Sequence, residues 1–300
     1  MIPADAPATG RMTMHVQVEE SPARMTAALR AARAAGRRVG FVPTMGALHA
    51  GHASLVEAAV AACDDVVVSI FVNPTQFGPH EDFTRYPRPL AADLALLDSL
   101  GVRWAFTPSV AGVYPDGQGA VAPVGGPAEP FEGAIRPGHF AGVAAVVKRL
   151  FEIVPADVAF FGAKDWQQTR VISRLVRDEA IPIEVVVCPT VREPDGLALS
   201  SRNAYLTPAE RARAGALHAG LAAAEACWIS GERIAVAEAA LRQTLEARGI
   251  TCDYAAIVDP ESLAPLEHAH GPAIALVAGR LGSTRLIDNR HLPARRSGTI

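Results

Sequence analysis

Short, nearly continuous apolar runs alternate along the chain with longer stretches whose apolar residues recur every three or four positions. Runs at 39–43, 66–72, 102–106, 158–161 and 183–187 read as strands. Val66-Val67-Val68-Ser69-Ile70-Phe71-Val72 is the clearest of them, because β-branched residues without alternation mark a strand covered on both faces. Between the runs the period turns helical. Met25, Leu29 and Ala32 share one side of a helix over 22–35, opened by Ser21-Pro22 and closed by Gly36. Further helices are predicted over 53–62, 90–100, 139–154 and 165–177. In the 139–154 helix Val143, Val146, Val147, Leu150 and Phe151 fall on one side. Helices alternating with strands covered on both faces predict a doubly wound parallel α/β sheet, in which ligands gather at the carboxyl ends of strands.

From residue 204 the texture changes. Thr207-Pro208-Ala209-Glu210 has the form of a capping-box helix start. A long Ala-rich helix to about 228, a second over 232–248, and short strands near 253–258, 273–278 and 284–288 should follow. The chain therefore divides into a loose tail (1–14), a Rossmann-like α/β domain (15–190) and a smaller C-terminal α+β domain (191–300). Residues 117–130, rich in Gly, Pro and Ala, read as a surface loop, and His268 and His270 as surface residues.

Composition narrows the function. Three hundred residues with half of them apolar can bury a large core. A formal charge of −3 leaves no basic footprint, which argues against nucleic acid or a membrane surface as partner. No run of about 18 apolar residues suggests a membrane span. Cys63, Cys188, Cys227 and Cys252 lack CxxC spacing, so reduced thiols and a cytoplasmic location are expected.

The polar motifs follow the strands. Pro43-Thr44-Met45-Gly46-Ala47-Leu48-His49-Ala50-Gly51-His52 runs from one strand into a helix. Orphan amides and the positive dipole end of a helix favour an anion there. His49 and His52 share a face, could donate to phosphate oxygens as neutral or protonated rings, and Gly46 and Gly51 would let a nucleotide approach the backbone. An isolated HxGH equally suits two capping histidines; a zinc pair lacks a third ligand at suitable spacing. Asn73-Pro74-Thr75-Gln76-Phe77 offers a donor–acceptor amide, or a plain turn. In Gly162-Ala163-Lys164-Asp165-Trp166-Gln167-Gln168, Asp165 could cap a helix, Lys164 could meet phosphate, and Gln168 could face the same crevice. Leu199-Ser200-Ser201-Arg202-Asn203 supplies hydroxyls and a guanidinium fork, or a polar interdomain loop. Arg136-Pro137-Gly138-His139 could add a cation and a capping histidine.

Taken in order, these motifs resemble the pantothenate synthetase family (pantoate–β-alanine ligases) within the wider HxGH nucleotidyltransferase group. The match also includes Glu81-Asp82, Tyr86-Pro87-Arg88, Arg136 to Phe140 and Asp195-Gly196-Leu197-Ala198 before Leu199. The resemblance implies ATP-dependent condensation of (R)-pantoate with β-alanine through a pantoyl adenylate, within pantothenate and coenzyme A biosynthesis. It implies catalytic roles for His49, His52, Lys164 and Arg202. It implies an ATP site made of Met45, Gly46, Ala47, Leu48, His49, Ala50, Gly51, His52, Gly162, Ala163, Lys164, Asp165, Val191, Leu199, Ser200, Ser201 and Arg202. Gln76 and Gln168 would bind pantoate, and Gln76 also β-alanine. Magnesium would be held mainly by ATP phosphates, with no protein ligand assigned, and a homodimer is implied. The family usually has an acidic residue where Ala163 stands and a smaller aromatic at Trp166, and its acidic cluster is thinned here to Ala91-Ala92-Asp93.

Overall fold

A computed structural model describes residues 16–78, 81–117, 124–266 and 271–295. The 1–14 tail, His268 and His270, and 118–123 of the 117–130 loop lie outside the described residues. The N-terminal part carries β1 (Gln17–Glu19), α1 (Pro22–Ala34), β2 (Val39–Thr44), α2 (Ala50–Ala62), β3 (Asp65–Ile70), α3 (Leu90–Ser99) and β4 (Trp104–Phe106). Two short helices, α4 (Val110–Val113) and α5 (Glu132–Ile135), lead to α6 (His139–Ile153), β5 (Val158–Gly162), α7 (Trp166–Asp178) and β6 (Glu184–Cys188).

The six strands pair in parallel in the order β1-β4-β3-β2-β5-β6. From β2 the chain winds outward one way through α2 and α3, and from β5 the other way through α7. The switch point therefore lies between β2 and β5, where a ligand crevice opens at the strand ends. Side-chain alternation builds both faces: Val39, Phe41, Val67 and Phe161 pack with α1, α6 and α7, while Val42, Val66, Val68 and Phe160 pack with α2 and α3. Each such fully buried side chain contributes roughly 1.5–3 kcal/mol over its exposed state.

The second unit has α8 (Pro208–Ala214), α9 (Ala216–Ile229), α10 (Ile234–Glu246) and the antiparallel meander β7 (Thr251–Val258), β8 (Ala273–Leu281), β9 (Thr284–Leu292). β8 is covered on both faces. Ala275 and Val277 meet Leu221, Trp228, Leu241 and Leu245. Ile274 and Leu276 form a small cluster against which Phe131 and Trp166 of the first unit pack. Trp166 fills that seam with its larger ring and donates from Nε1 to the Pro260 carbonyl at 2.7 Å. Arg285 adds a two-pronged ion pair to buried Glu132 at 2.6 and 2.7 Å.

The sequence reading is corrected at the C-terminal helix, the β3 end and the Gly/Pro-rich loop. The expected 207–228 helix divides at Gly215, where a Cβ would lie 3.0 Å from the Asp195 carbonyl oxygen. The strand expected over 66–72 ends at Ile70. The expected surface loop is partly inside: Pro127 and Ala128 are buried, and Gln167 Nε2 donates to the carbonyls of Pro127 and Pro130 at 2.8 and 2.7 Å.

Candidate active site

The turn leaving β2 is held in an unusual backbone shape by one buried acid. Gly46 has φ +80° and Ala47 φ +52°, so two successive residues occupy the left-handed region. For alanine that costs about 1–2 kcal/mol. Asp93, from α3 and only 2% exposed, accepts the amides of Ala47 and Leu48 at 2.9 and 2.8 Å. Hydrogen bonds to a charged group contribute about 1.5–3 kcal/mol each, enough to offset the strain. Burial pushes the Asp93 carboxyl above its usual range, and the two amide bonds reverse this only in part. A Cβ at Gly46 would lie 2.9 Å from Asp93 Oδ2 and Ile70 Cγ2; one at Gly51 would lie 2.9 Å from the His49 ring. The two glycines therefore make room for protein atoms first.

His49 is the N-cap of α2. Its Nδ1 accepts the Gly51 amide at 3.1 Å, and His52 Nδ1 accepts the His49 amide at 3.3 Å. Both rings are thereby set as Nε2–H tautomers, with centroids 4.2 Å apart. Burial, then His49, then Lys164 push His52 down to about 3. Burial and Lys164 lower His49 as well. Of the two charge states left open by the sequence, the geometry selects neutral donors.

Across the switch point, β5 ends at Gly162 and a single 3-10 turn, Ala163–Asp165, leads into α7. Lys164 Nζ sits 3.8 Å from Asp165 Oδ1. Asp165 occupies the N-cap of α7 without a side-chain cap bond, contrary to the sequence expectation. One residue of helical rotation separates the two glutamines: Gln167 points into the fold, Gln168 into the crevice.

The 3-10 turn Pro74–Gln76 follows β3. Gln76 is fixed at three atoms. Buried Asn73 Nδ2 donates to its Oε1 at 3.2 Å, its Nε2 contacts Met45 Sδ at 2.9 Å, and His139 Nδ1 donates to its carbonyl at 2.8 Å. His139 thus bridges to Gln76 instead of capping α6; Gly138 is the cap residue. Arg136 donates to His139 Nε2 at 2.9 Å and grips Glu81 at 2.7 and 2.6 Å. Burial, then Arg136, bring His139 to about 4, so it too is neutral.

In the 199–202 segment, Ser200 Oγ accepts the Arg202 amide at 3.3 Å, and Ser201 Oγ donates to the Ala47 carbonyl at 3.2 Å, tying it to the β2 turn. Arg202 Nε and Nη2 both bind Asp82 at 3.0 Å. Two of its five donor hydrogens are thus engaged, and the rest remain for another anion.

These segments enclose one cavity of about 240 Å³. Met45, His49, Gly51, His52, Gln76, Gly162, Lys164, Asp165, Gln168, Val191, Leu199, Ser200, Ser201 and Arg202 all line it. Gly46, Ala47, Leu48, Ala50 and Ala163 do not. The Ala47 and Leu48 amides face Asp93, exposed Ala50 begins α2, and the Ala163 carbonyl faces Asn289. The apolar wall is the α6 stripe of Val143, Val146, Val147 and Leu150. Sequence reasoning missed Asp93 and Asn289 as supports of the turns, and Tyr86 and Asn73 as lining. The β2 and β5 motifs named the turns, but nothing local identified the distant side chains that hold them.

The pantoate–β-alanine ligase family model matches residues 17–291. A pantothenate synthetase of Rhizorhabdus wittichii is 54% identical over 258 residues, covering 86% of this chain and 92% of the relative. One of Koribacter versatilis is 48% identical, covering 93% and 97%. The crystal structure of pantothenate synthetase from Thermus thermophilus superposes with a TM-score of 0.88 at 48% identity, covering 93% of this chain and all of that one. A pantoate–β-alanine ligase from Francisella tularensis, crystallised with an ATP compound and β-alanine, gives 0.77 at 34% identity, covering 92% and 97%. With its family model, sheet order and relatives in agreement over nearly its whole length, the chain belongs to the pantoate–β-alanine ligase family.

Proposed function

We propose that this cavity condenses pantoate with β-alanine, consuming ATP and releasing AMP and pyrophosphate. The observation that carries the reading is convergence: two neutral imidazole donors, one lysine, a hydroxyl–guanidinium loop and two glutamines line a single cavity at the switch point. In the first step a pantoate carboxylate oxygen attacks the α-phosphorus, and the bond to the bridging oxygen of pyrophosphate breaks. In the second the unprotonated amine of β-alanine attacks the acyl carbon, the bond from that carbon to the bridging oxygen breaks, and AMP leaves with this former carboxylate oxygen while the new amide sheds a proton. Neither step needs a covalent protein nucleophile, so positioning and charge stabilisation are the protein's work.

His49 and His52 donate from Nε2 to the charge growing at the α-phosphate, and they do so as uncharged rings in the physiological range. Lys164, Ser200, Ser201 and Arg202 hold phosphate oxygens, with Arg202 sharing its fork between Asp82 and the nucleotide. Met45, Gly51, Gly162, Asp165, Val191 and Leu199 line the nucleotide. Gln76 and Gln168 bind pantoate, and Gln76 stays in reach of β-alanine, with the valine stripe of α6 against the apolar part of pantoate. Magnesium enters with the triphosphate. Among the described residues no three His, Cys, Asp or Glu side chains cluster to hold a metal, and Asp93 and Asp82 are committed to amides and to Arg202. Residues 15–190 supply most of the site, and 191–300 form a lid hinged near 200–202. Family likeness supports a cytoplasmic homodimer; no helix among the described residues is long and apolar enough to cross a membrane.

Labelled pyrophosphate exchange into ATP, with and without pantoate, tests the reading. Pantoate-dependent exchange is the expected result. Exchange that needs a phosphorylated acceptor instead, or none at all, would sink it.

A further inference from the structure

The turn carrying Lys164 has little support of its own. Asp165 gives α7 no side-chain cap, and nothing lies within 4 Å of where a Cβ on Gly162 would stand. Behind the turn is a second, smaller cavity of about 40 Å³, bordered by Lys164, Asp165, Gln168, Asp288 and Asn289. Atoms facing a void lose their dispersion partners on that side, so packing alone does not fix the turn.

What spans the gap comes from β9. Asn289, 6% exposed, donates through Nδ2 to the carbonyls of Ala163 and Lys164 at 2.8 and 2.9 Å. Both carboxamide hydrogens are spent on consecutive carbonyls, so the two peptide planes flanking the Lys164 Cα are set together. In trans peptides the N–H opposes the C=O, and the amides of Lys164 and Asp165 are thereby turned away from β9. Asn289 is itself anchored. Its amide donates to Asp288 Oδ1 at 2.8 Å, Asp288 takes Arg192 at 2.7 and 2.9 Å, and Arg192 Nη2 reaches back to the Asn289 carbonyl at 3.3 Å.

We propose that Asn289 is a positioning residue that fixes the backbone on both sides of Lys164, so that the C-terminal sheet sets where the lysine ammonium meets phosphate. The proposal rests on the reading of Lys164 as a phosphate-holding group. Misplacing a catalytic group by about 1 Å costs on the order of 100-fold.

The test is a double-mutant cycle on the full-length enzyme, read by pantoate-dependent pyrophosphate exchange. Asn289→Ala should lower kcat by about 10- to 100-fold while the pantoate KM stays within about 2-fold. In a Lys164→Ala background the same change should add less than about 2-fold, because the group it positions is gone. An unchanged kcat in Asn289→Ala, or a loss that multiplies in full on Lys164→Ala, overturns the proposal. An unchanged Lys164→Ala would instead remove the phosphate reading on which it stands. Asn289→Asp keeps the volume but turns the donor into an acceptor, and it should lose as much as alanine; wild-type kcat there also overturns it. Should either variant fail to unfold cooperatively, Asn289→Ser, with one hydroxyl for two carbonyls, takes its place under the same criteria.

Discussion

The turns after β2 and β5 stand on either side of one switch point and both open helices, yet they are built in opposite ways. The β2 turn offers neutral imidazoles and is clamped from within its own unit by a buried anion, Asp93. The β5 turn offers a cation and is held from the other unit by a neutral amide, Asn289. The pairing has an electrostatic logic. A cation beside protonated histidines would be repelled, and Lys164 is among the causes that lower both rings. Burial does most of that lowering, so Lys164 faces two uncharged donors across the crevice. The comparison also separates the supports: the first turn should keep its shape without the C-terminal sheet, the second should not.

The strongest way to break this contrast is Lys164→Ala, expected to cut pantoate-dependent exchange by about 100-fold or more, as loss of a transition-state donor does. An unchanged exchange rate would remove the cation of the β5 turn from the comparison. Next comes Asp93→Ala, which strands two amides and should cost about 1–3 kcal/mol for each left unsatisfied, measured as a drop in urea midpoint. Loss of exchange should accompany it; a fully active, equally stable variant would show that the β2 turn holds itself.

Acid should then separate the histidines from the lysine. The folded value of His52, about 3, lies below the unfolded value of about 6.5, so the unfolded chain binds more protons between them. Its contribution to stability is complete above about pH 6.5 and is lost as pH falls toward 3. Urea midpoints against pH should fall less steeply in His52→Gln than in the parent. A limb near pH 6.5 in kcat/KM assigned to His52 would contradict its neutral role. Gly46→Ala sharpens the backbone side, with an expected cost of about 1–2 kcal/mol for a left-handed alanine, plus crowding of Asp93. The smallest effect belongs to Trp166→Phe. It loses the bond to Pro260 and about 1 kcal/mol of stability with exchange unchanged. A large loss of exchange in that variant would mean that the seam between the units, and not Asn289 alone, sets the β5 turn.

Much of the sheet was legible because its signals are local. The apolar run from Val66 to Val72 read as a strand covered on both faces, and most of it is one; Ser21-Pro22 read as a helix start, and Ser21 caps α1. The candidate site was legible as motifs for a different reason: glycines and polar residues directly after apolar strands fall where a doubly wound sheet gathers its ligands. Their partners were not legible. Gln167 and Gln168 look alike in sequence and part ways through helical rotation, one tied to the Pro127 and Pro130 carbonyls and the other facing the cavity. The Gly/Pro-rich segment near 127 looked like surface because composition does not report which loops are drawn inward by a buried amide.

By itself the sequence determined the alternation of elements, the strand-to-helix turns, the chemistry available at each turn, and the family to which the motifs bear likeness. Those depend on residues close together in the chain, where periodicity, capping and backbone preference act. Tertiary structure alone decided which charge state the histidines hold, which atoms the glycines make room for, and which distant side chains fix the turns. Burial sets the first, close packing the second, and the third rests on pairs 46 and 126 residues apart, Asp93 with Ala47 and Asn289 with Ala163. No local rule reaches that far, because such contacts exist only once the sheet order has brought the strand ends together.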